Sequence, residues 1–271
     1  MDPVLISTGA VDDFLSAEEV TRILEVRLGR VHARQREGIE REHDARALGK
    51  GRTFFHIENM PVAAVAIEAV LRLSGTWRLG RANAARVQVR RNDVASARIP
   101  REFDGFRILH LSDLHADMSE EAMGSATALI ADLGYDLCVL TGDYRGLAFG
   151  PYHPSLQAMR APLRAVRTDV FGVLGNHDTI RMTPDLERLG VRMLLNEHAL
   201  IERGNASISL VGVDDAHYFR ADNLEKAMDD VADEAFSILL SHTPEIYRQA
   251  AHAGFDLMLS GHTHGGQICL P

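Results

Sequence analysis

The sequence predicts an α/β (α+β) fold in which buried sheets lie between layers of helices, and three observations predict it. Apolar runs of strand length recur through the second part of the chain (RILHLS, LCVLTG, VFGVLGN, ISLVGV, FSILLS, LMLSG), and continuous Val/Ile/Leu strands are those covered on both faces. Helical stretches alternate with them at 119–133, 155–166 and 244–251, the pattern of layered domains. Nearly every strand ends in a short polar cluster, and ligand sites of such sheets lie at the carboxyl ends of strands.

Ahead of the strands, residues 13–48 are rich in charge, with Phe14, Leu15, Val20, Ile23, Leu24, Val31, Ile39 and Leu48 at loosely helical spacing. This predicts one or two exposed helices. The most apolar run, 61–71 (PVAAVAIEAVL), is interrupted by Glu68 and is too short to span a bilayer. With Val62, Val65, Ile67, Val70, Leu71 and Leu73 it reads as an amphipathic helix packed on its own domain. Arg72, Arg78, Arg81 and Arg86 follow it, which makes a peripheral membrane contact the rival reading.

The formal net charge is −9, but residues 1–107 carry +3 and residues 108–271 carry −12. An acidic domain is a poor nucleic-acid binder, because phosphate neutralisation needs a basic face; the same carboxylates suit metal cations, which can then hold a phosphate. The opening residues show no basic region followed by an apolar core, so they do not read as a secretory signal. That points to the cytoplasm, with the inner membrane surface as the place a peripheral contact would give. Cys138 and Cys269 lie far apart in apolar surroundings, which favours a reduced compartment over a disulfide framework.

The strand-end clusters are Asp113 with His115, Gly142-Asp143, Gly175-Asn176-His177-Asp178, Ser241-His242 and Gly261-His262-Thr263-His264. Their mixed oxygen and imidazole donors suit Mn, Fe or Zn better than Ca or Mg. Two divalent ions need a shared carboxylate, and together they polarise a phosphoryl group and activate water. Neither GxSxG nor GxxxxGK[ST] competes for these positions. Crowded carboxylates that merely capped strand ends would be unfavourable without a compensating cation.

Taken in order, Asp-x-His, Gly-Asp, Gly-Asn-His-Asp, an isolated His and Gly-His-x-His resemble the calcineurin-like metallophosphoesterases over residues 106–266. LSDLH with SGHTHGGQ is most similar to the bacterial branch that acts on small or lipid-linked phosphoesters. The resemblance implies a four-layer αββα sandwich of two mixed sheets flanked by helices over 101–271, preceded by an N-terminal helical extension, 1–100, that matches no part of the motif. It implies Asp113, His115 and His264 on a first metal, Asp143 as the bridge, and Asn176, His242 and His262 on a second, with Mn²⁺ the expected ion. It also implies phosphodiester or phosphomonoester hydrolysis by a metal-bound hydroxide, with His177 as general acid. A cyclic nucleotide, a nucleotide-sugar lipid, a phospholipid headgroup or a phosphoprotein all remain open as substrate.

The chain departs from the family pattern in two places. Many relatives follow Gly-Asp, two residues on, with a second aspartate that orients the catalytic histidine; here the run is Tyr144-Arg145-Gly146. Asp178 and Asp117 are the substitutes to consider, and Arg145 is read either as a phosphate clamp or as a surface arginine. The chain also stops at Pro271, seven residues after His264, where relatives continue with further strands. These departures motivate the rival reading, a non-catalytic metal-binding scaffold. Outside the motif, His217 could reach substrate, as could Tyr152 and His153. His32, His43, His56, His198 and His252 read as surface or cap residues, and His110 as packed.

Overall fold

Alternation in the strands decides how the layers stack. The computed structural model describes residues 14–45 and 61–265. Leu48, His56, Cys269 and the final Gly266-Gln267 of the motif lie outside the described residues, as do the side chains of Val62 and Val65. Strands β1 (Ile108–Leu111), β2 (Leu137–Leu140), β3 (Val170–Gly172) and β4 (Val191–Met193) form one sheet in that order, parallel throughout. Strands β5 (Glu197–Arg203), β6 (Ala206–Gly212), β7 (Ser237–Leu240) and β8 (Leu257–Leu259) form the second, antiparallel at β5–β6 and parallel beyond. The pair of sheets stands as expected, but only the second is mixed. Strands β4 and β5 went unread in the sequence, because Val191–Met193 is too short, and Glu197–Arg203 too charged at its ends, to form an apolar run.

Successive side chains point to opposite faces, so Leu137 and Val139 enter a core between the sheets with Phe171, Val173, Leu210, Ile238 and Leu240. Their neighbours Cys138 and Leu140 face helices α5 (Glu120–Asp132), α6 (His153–Ala165) and α7 (Thr183–Arg188). On the far face of the second sheet, Val211 and Leu239 meet α8 (Leu224–Ala227) and α9 (Tyr247–His252). The result is helix, sheet, sheet, helix. Burial pushes the Cys138 thiol up to about 12, so it is an inert core residue.

The N-terminal helices correct one expectation. Helix α1 (Ala17–Leu28) opens on a capping box from Ser16 and Glu19. Its Val20, Leu24 and Leu28 are buried in the same apolar cluster as sheet one. Helix α2 (Arg30–Ala45) follows and buries Ala33 and Arg36. These are integral helices rather than the exposed ones expected. Arg27 pairs with Glu187 and Glu197, and Arg181 with Glu37. In helix α3 (Pro61–Leu73), Ile67, Val70 and Leu73 are exposed and Leu71 is half-buried. Helix α4 (Trp77–Ala84) buries none of its residues. No helix among the described residues is long and apolar enough to cross a membrane.

Candidate metal centre

Five strands, β1, β2 and β3 of one sheet and β7 and β8 of the other, end at a common edge, and each delivers its polar cluster there. The ligand-type atoms of Asp113, His115 and His264 lie within 4.8 Å of one another. The same holds for His115, Asp143 and His177, and for Asp113, Asp143 and His242. Shared members make these one interlocked site. Asn176 joins through its side-chain oxygen, 2.9 Å from His242 Nε2. His262 joins through its backbone N–H, which donates to both oxygens of Asp113 at 3.1 and 3.0 Å, with its ring 5.2 Å from that of His242. The residues expected at the metals meet at this edge, with the ring of His262 grouped with His217 and Glu245 and not with Asp143 and His242.

The backbone is bent to do this. Of the eight described non-glycine residues with positive φ, five are Asp113, His115, Asp143, His262 and His264. Left-handed backbone costs a non-glycine residue about 1–2 kcal/mol, and such strain collects where surrounding structure holds it for a purpose. Two glycines permit the convergence. A Cβ on Gly142 would sit 2.7 Å from Gly175 Cα, and one on Gly261 would overlap Ser112 Oγ and the Asp113 carboxylate. Gly261→Ala should therefore push the β8 loop off the β1 loop and lower metal content, while far-ultraviolet circular dichroism stays native. A variant with full metal content would show that the loops have slack.

Three of the site's histidine rings have one nitrogen fixed by main chain. His115 Nδ1 lies 2.8 Å from the Arg145 carbonyl, His177 Nδ1 2.8 Å from that of Gly146, and His242 Nδ1 2.6 Å from that of Thr141. A carbonyl only accepts, so all three Nδ1 atoms carry hydrogen and all three Nε2 atoms face the site. For His115 and His242 this is the arrangement of metal-ligating histidines. His115 Nε2 and His264 Nε2 are 3.4 Å apart, and His264 Nε2 is 3.2 Å from Asp113 Oδ1. Two imidazole nitrogens beside a carboxylate make a donor set that suits a divalent cation.

Electrostatics agree. Burial raises the Asp113 carboxyl, but hydrogen bonds from His264 and Ser112 outweigh it and hold the group well below the usual carboxylate range. Burial lowers His242, yet its bond to Asp143 carries it to about 9. The edge strongly favours positive charge.

The missing second aspartate has a replacement of another kind. His177 is oriented by the Gly146 carbonyl, not by Asp178 or Asp117 directly. Asp178 is buried and accepts the N–H groups of Asp143 (2.7 Å), Tyr144 (2.9 Å) and Gly175 (2.8 Å), tying the β2 and β3 loops together. Asp117 accepts the Gly146 N–H at 2.7 Å and so steadies the residue that holds His177. Arg145 is 4% exposed, which corrects the surface position weighed for it. Its Nη1 and Nη2 donate to the carbonyls of Gly150 (3.0 Å) and Ala148 (2.7 Å), and its Nε to that of His177. A brace for the loop takes the place of the expected phosphate clamp.

His217 is half-exposed at the rim, 3.6 Å from Glu245, with its ring 5.6 Å from that of His262. His110 is exposed on the edge strand rather than packed, its Nε2 2.8 Å from Thr141 Oγ1. Four residues of α2 went unnoticed as neighbours of this edge: His32, Arg36, Glu40 and His43. Arg36 is fully buried, its Nε 3.2 Å from Asp214 Oδ2, its Nη1 2.6 Å from Glu40 and its guanidinium 3.4 Å over Phe219.

The chain belongs to the calcineurin-like phosphoesterase family, whose model matches residues 106–266. Among curated proteins it is 31% identical over 173 residues to the uncharacterized metallophosphoesterase YkoQ of Bacillus subtilis, covering 60% of this chain and 63% of that one. It is 30% identical over 201 residues to the uncharacterized metallophosphoesterase YkuE of the same organism, covering 68% and 67%. It is also 30% identical over 177 residues to the phosphodiesterase YaeI of Escherichia coli, covering 61% and 63%. The chain thus spans about two thirds of the length of these relatives.

Proposed function

We propose that this protein hydrolyses phosphoesters, diesters in particular, using two divalent cations held at the shared strand edge. The observation that carries the reading is the interlocked set of Asp113, His115, Asp143, His242 and His264, with all three anchored Nε2 atoms turned inward. Asp113, His115 and His264 would hold one ion, Asn176, His242 and His262 the other, and Asp143 would serve both. Mn²⁺ suits the mixed nitrogen and oxygen donors. Bound cations would supply Lewis acidity toward the phosphoryl oxygens and activation of water. The similarity to a phosphodiesterase supports the diester preference.

The chain's own residues do the rest. His177 Nε2 lies 4.0 Å from Asp143 Oδ2, on the ring edge opposite its anchor, so a proton on Nε2 would be placed to reach a leaving oxygen. Gly146 fixes the ring's tilt and Asp117 fixes Gly146. Asp143 Oδ1 accepts the His177 N–H at 2.9 Å, which couples the position of the acid to the shared carboxylate.

The test is hydrolysis of bis-p-nitrophenyl phosphate and p-nitrophenyl phosphate after chelation and on return of Mn²⁺. Activity should vanish on chelation, return with the metal and be greater on the diester. Protein that binds two ions and turns over neither compound would be the metal-binding scaffold instead.

A further inference from the structure

Three neighbouring parallel strands of the second sheet, β6, β7 and β8, end on one side. The segments after them carry His217, Glu245 and His262 in turn. One ligand-type atom of each lies within 4.8 Å of those of the other two. His217 Nδ1 is 3.6 Å from Glu245 Oε1, and the rings of His217 and His262 are 5.6 Å apart. The set adjoins the metal centre at His262, whose ring stands 5.2 Å from that of His242. Neither His217 nor Glu245 belongs to the family pattern set out above.

The backbone at all three positions is held from within. Buried Asp215 accepts the N–H groups of Tyr218 (2.7 Å) and Phe219 (2.6 Å), which fixes the turn that carries His217. Glu245 lies in the short 3-10 helix Pro244–Ile246, pinned by Ile246 in the apolar cluster on the far face of the sheet. The His262 N–H is held by Asp113. Only side-chain rotamers are left to order, and such preorganisation lowers the cost of binding. An exposed His–Glu pair is worth little by itself, and it gives no reason for a second imidazole within reach of both partners. Two imidazoles and a carboxylate are a ligand set of zinc sites that keep solvent in the fourth position. Affinity in the divalent series is also higher for Zn²⁺ than for Mn²⁺.

We propose that His217, Glu245 and His262 form a third cation site at the rim, one that takes Zn²⁺, and that an ion there inhibits turnover by engaging His262. The ring of His262 is grouped with His217 and Glu245, not with Asp143 and His242. An ion at the rim therefore keeps that imidazole on its own side and leaves the second position of the pair to Asp143, Asn176 and His242. The inhibition rests on the phosphoesterase reading above; the binding of the ion does not.

Equilibrium dialysis of the full chain against micromolar Zn²⁺, followed by metal analysis, reads the site directly. The wild type should hold one equivalent more than His217→Ala or Glu245→Gln, and equal content in the three proteins overturns the proposal. Both side chains are exposed, so the variants should keep native circular dichroism. In the Mn²⁺-loaded protein, added Zn²⁺ should inhibit hydrolysis of bis-p-nitrophenyl phosphate. Glu245→Gln should keep the uninhibited rate and need about 10–100-fold more Zn²⁺ for the same inhibition, the range in which even a residue that only orients a ligand changes metal affinity. Equal sensitivity of the two proteins removes the inhibitory role. If neither protein hydrolyses the diester, the phosphoesterase reading fails, and the dialysis still decides whether the rim binds an ion.

Discussion

Replacing Asp143 by Asn is expected to lower kcat/KM on an activated phosphodiester by about a thousandfold or more, equivalent to about 4 kcal/mol of transition-state stabilisation. The side chain is 2% exposed. Its Oδ2 lies 3.3 Å from His242 Nε2, 3.9 Å from His115 Nε2 and 4.0 Å from His177 Nε2. Asn has the same shape and keeps an oxygen for the His177 N–H, so the fold and the acid stay in place. What goes is the negative charge that would sit between two cations. Metal content and turnover should fall together, with the thermal transition still cooperative. Wild-type rates in the Asn protein would mean that the chemistry takes place elsewhere.

Arg36→Ala is expected to destabilise the protein by about 3–5 kcal/mol, the cost of leaving a buried charge without its partner, and to lower Tm by about 10 °C for a chain of this size. Removing the guanidinium strips Glu40 of its pairing, leaves Asp214 with His32 at 3.5 Å, and empties the space over Phe219. Burial disfavours the Arg36 charge, but Asp214 and Glu40 more than compensate and keep it protonated. Arg36→Lys should recover only part of the loss, since a point charge cannot reproduce the planar fork that spans both acids. Denaturant unfolding of the three proteins reads this directly. A loss under about 1 kcal/mol would show that α2 can slip and let water in.

The sheets and the meeting of the strand-end clusters at one edge were legible because both leave strong local marks. Apolar runs such as LCVLTG and FSILLS are buried on both faces, and glycine beside His or Asp at a strand end has few structural uses. The role of α2 was not legible. Its sequence, RVHARQREGIEREHDA, is polar all round, which normally marks a solvated helix, and its burial depends on an arginine matched to Asp214, 178 residues away. Hydropathy cannot report a buried ion pair. The orienting partner of His177 was missed for a different reason. The expectation sought a carboxylate side chain, whereas the group that fills the role is a peptide oxygen.

That substitution has an evolutionary consequence. Thr141, Arg145 and Gly146 hold the three histidine rings with carbonyl oxygens, an atom every amino acid carries. The acceptor at each of these positions belongs to the main chain, so no side-chain change removes the anchoring atom itself. A lineage can therefore lose an orienting aspartate without losing the orientation, and the absence of that residue from a descendant says little about whether it still turns over substrate.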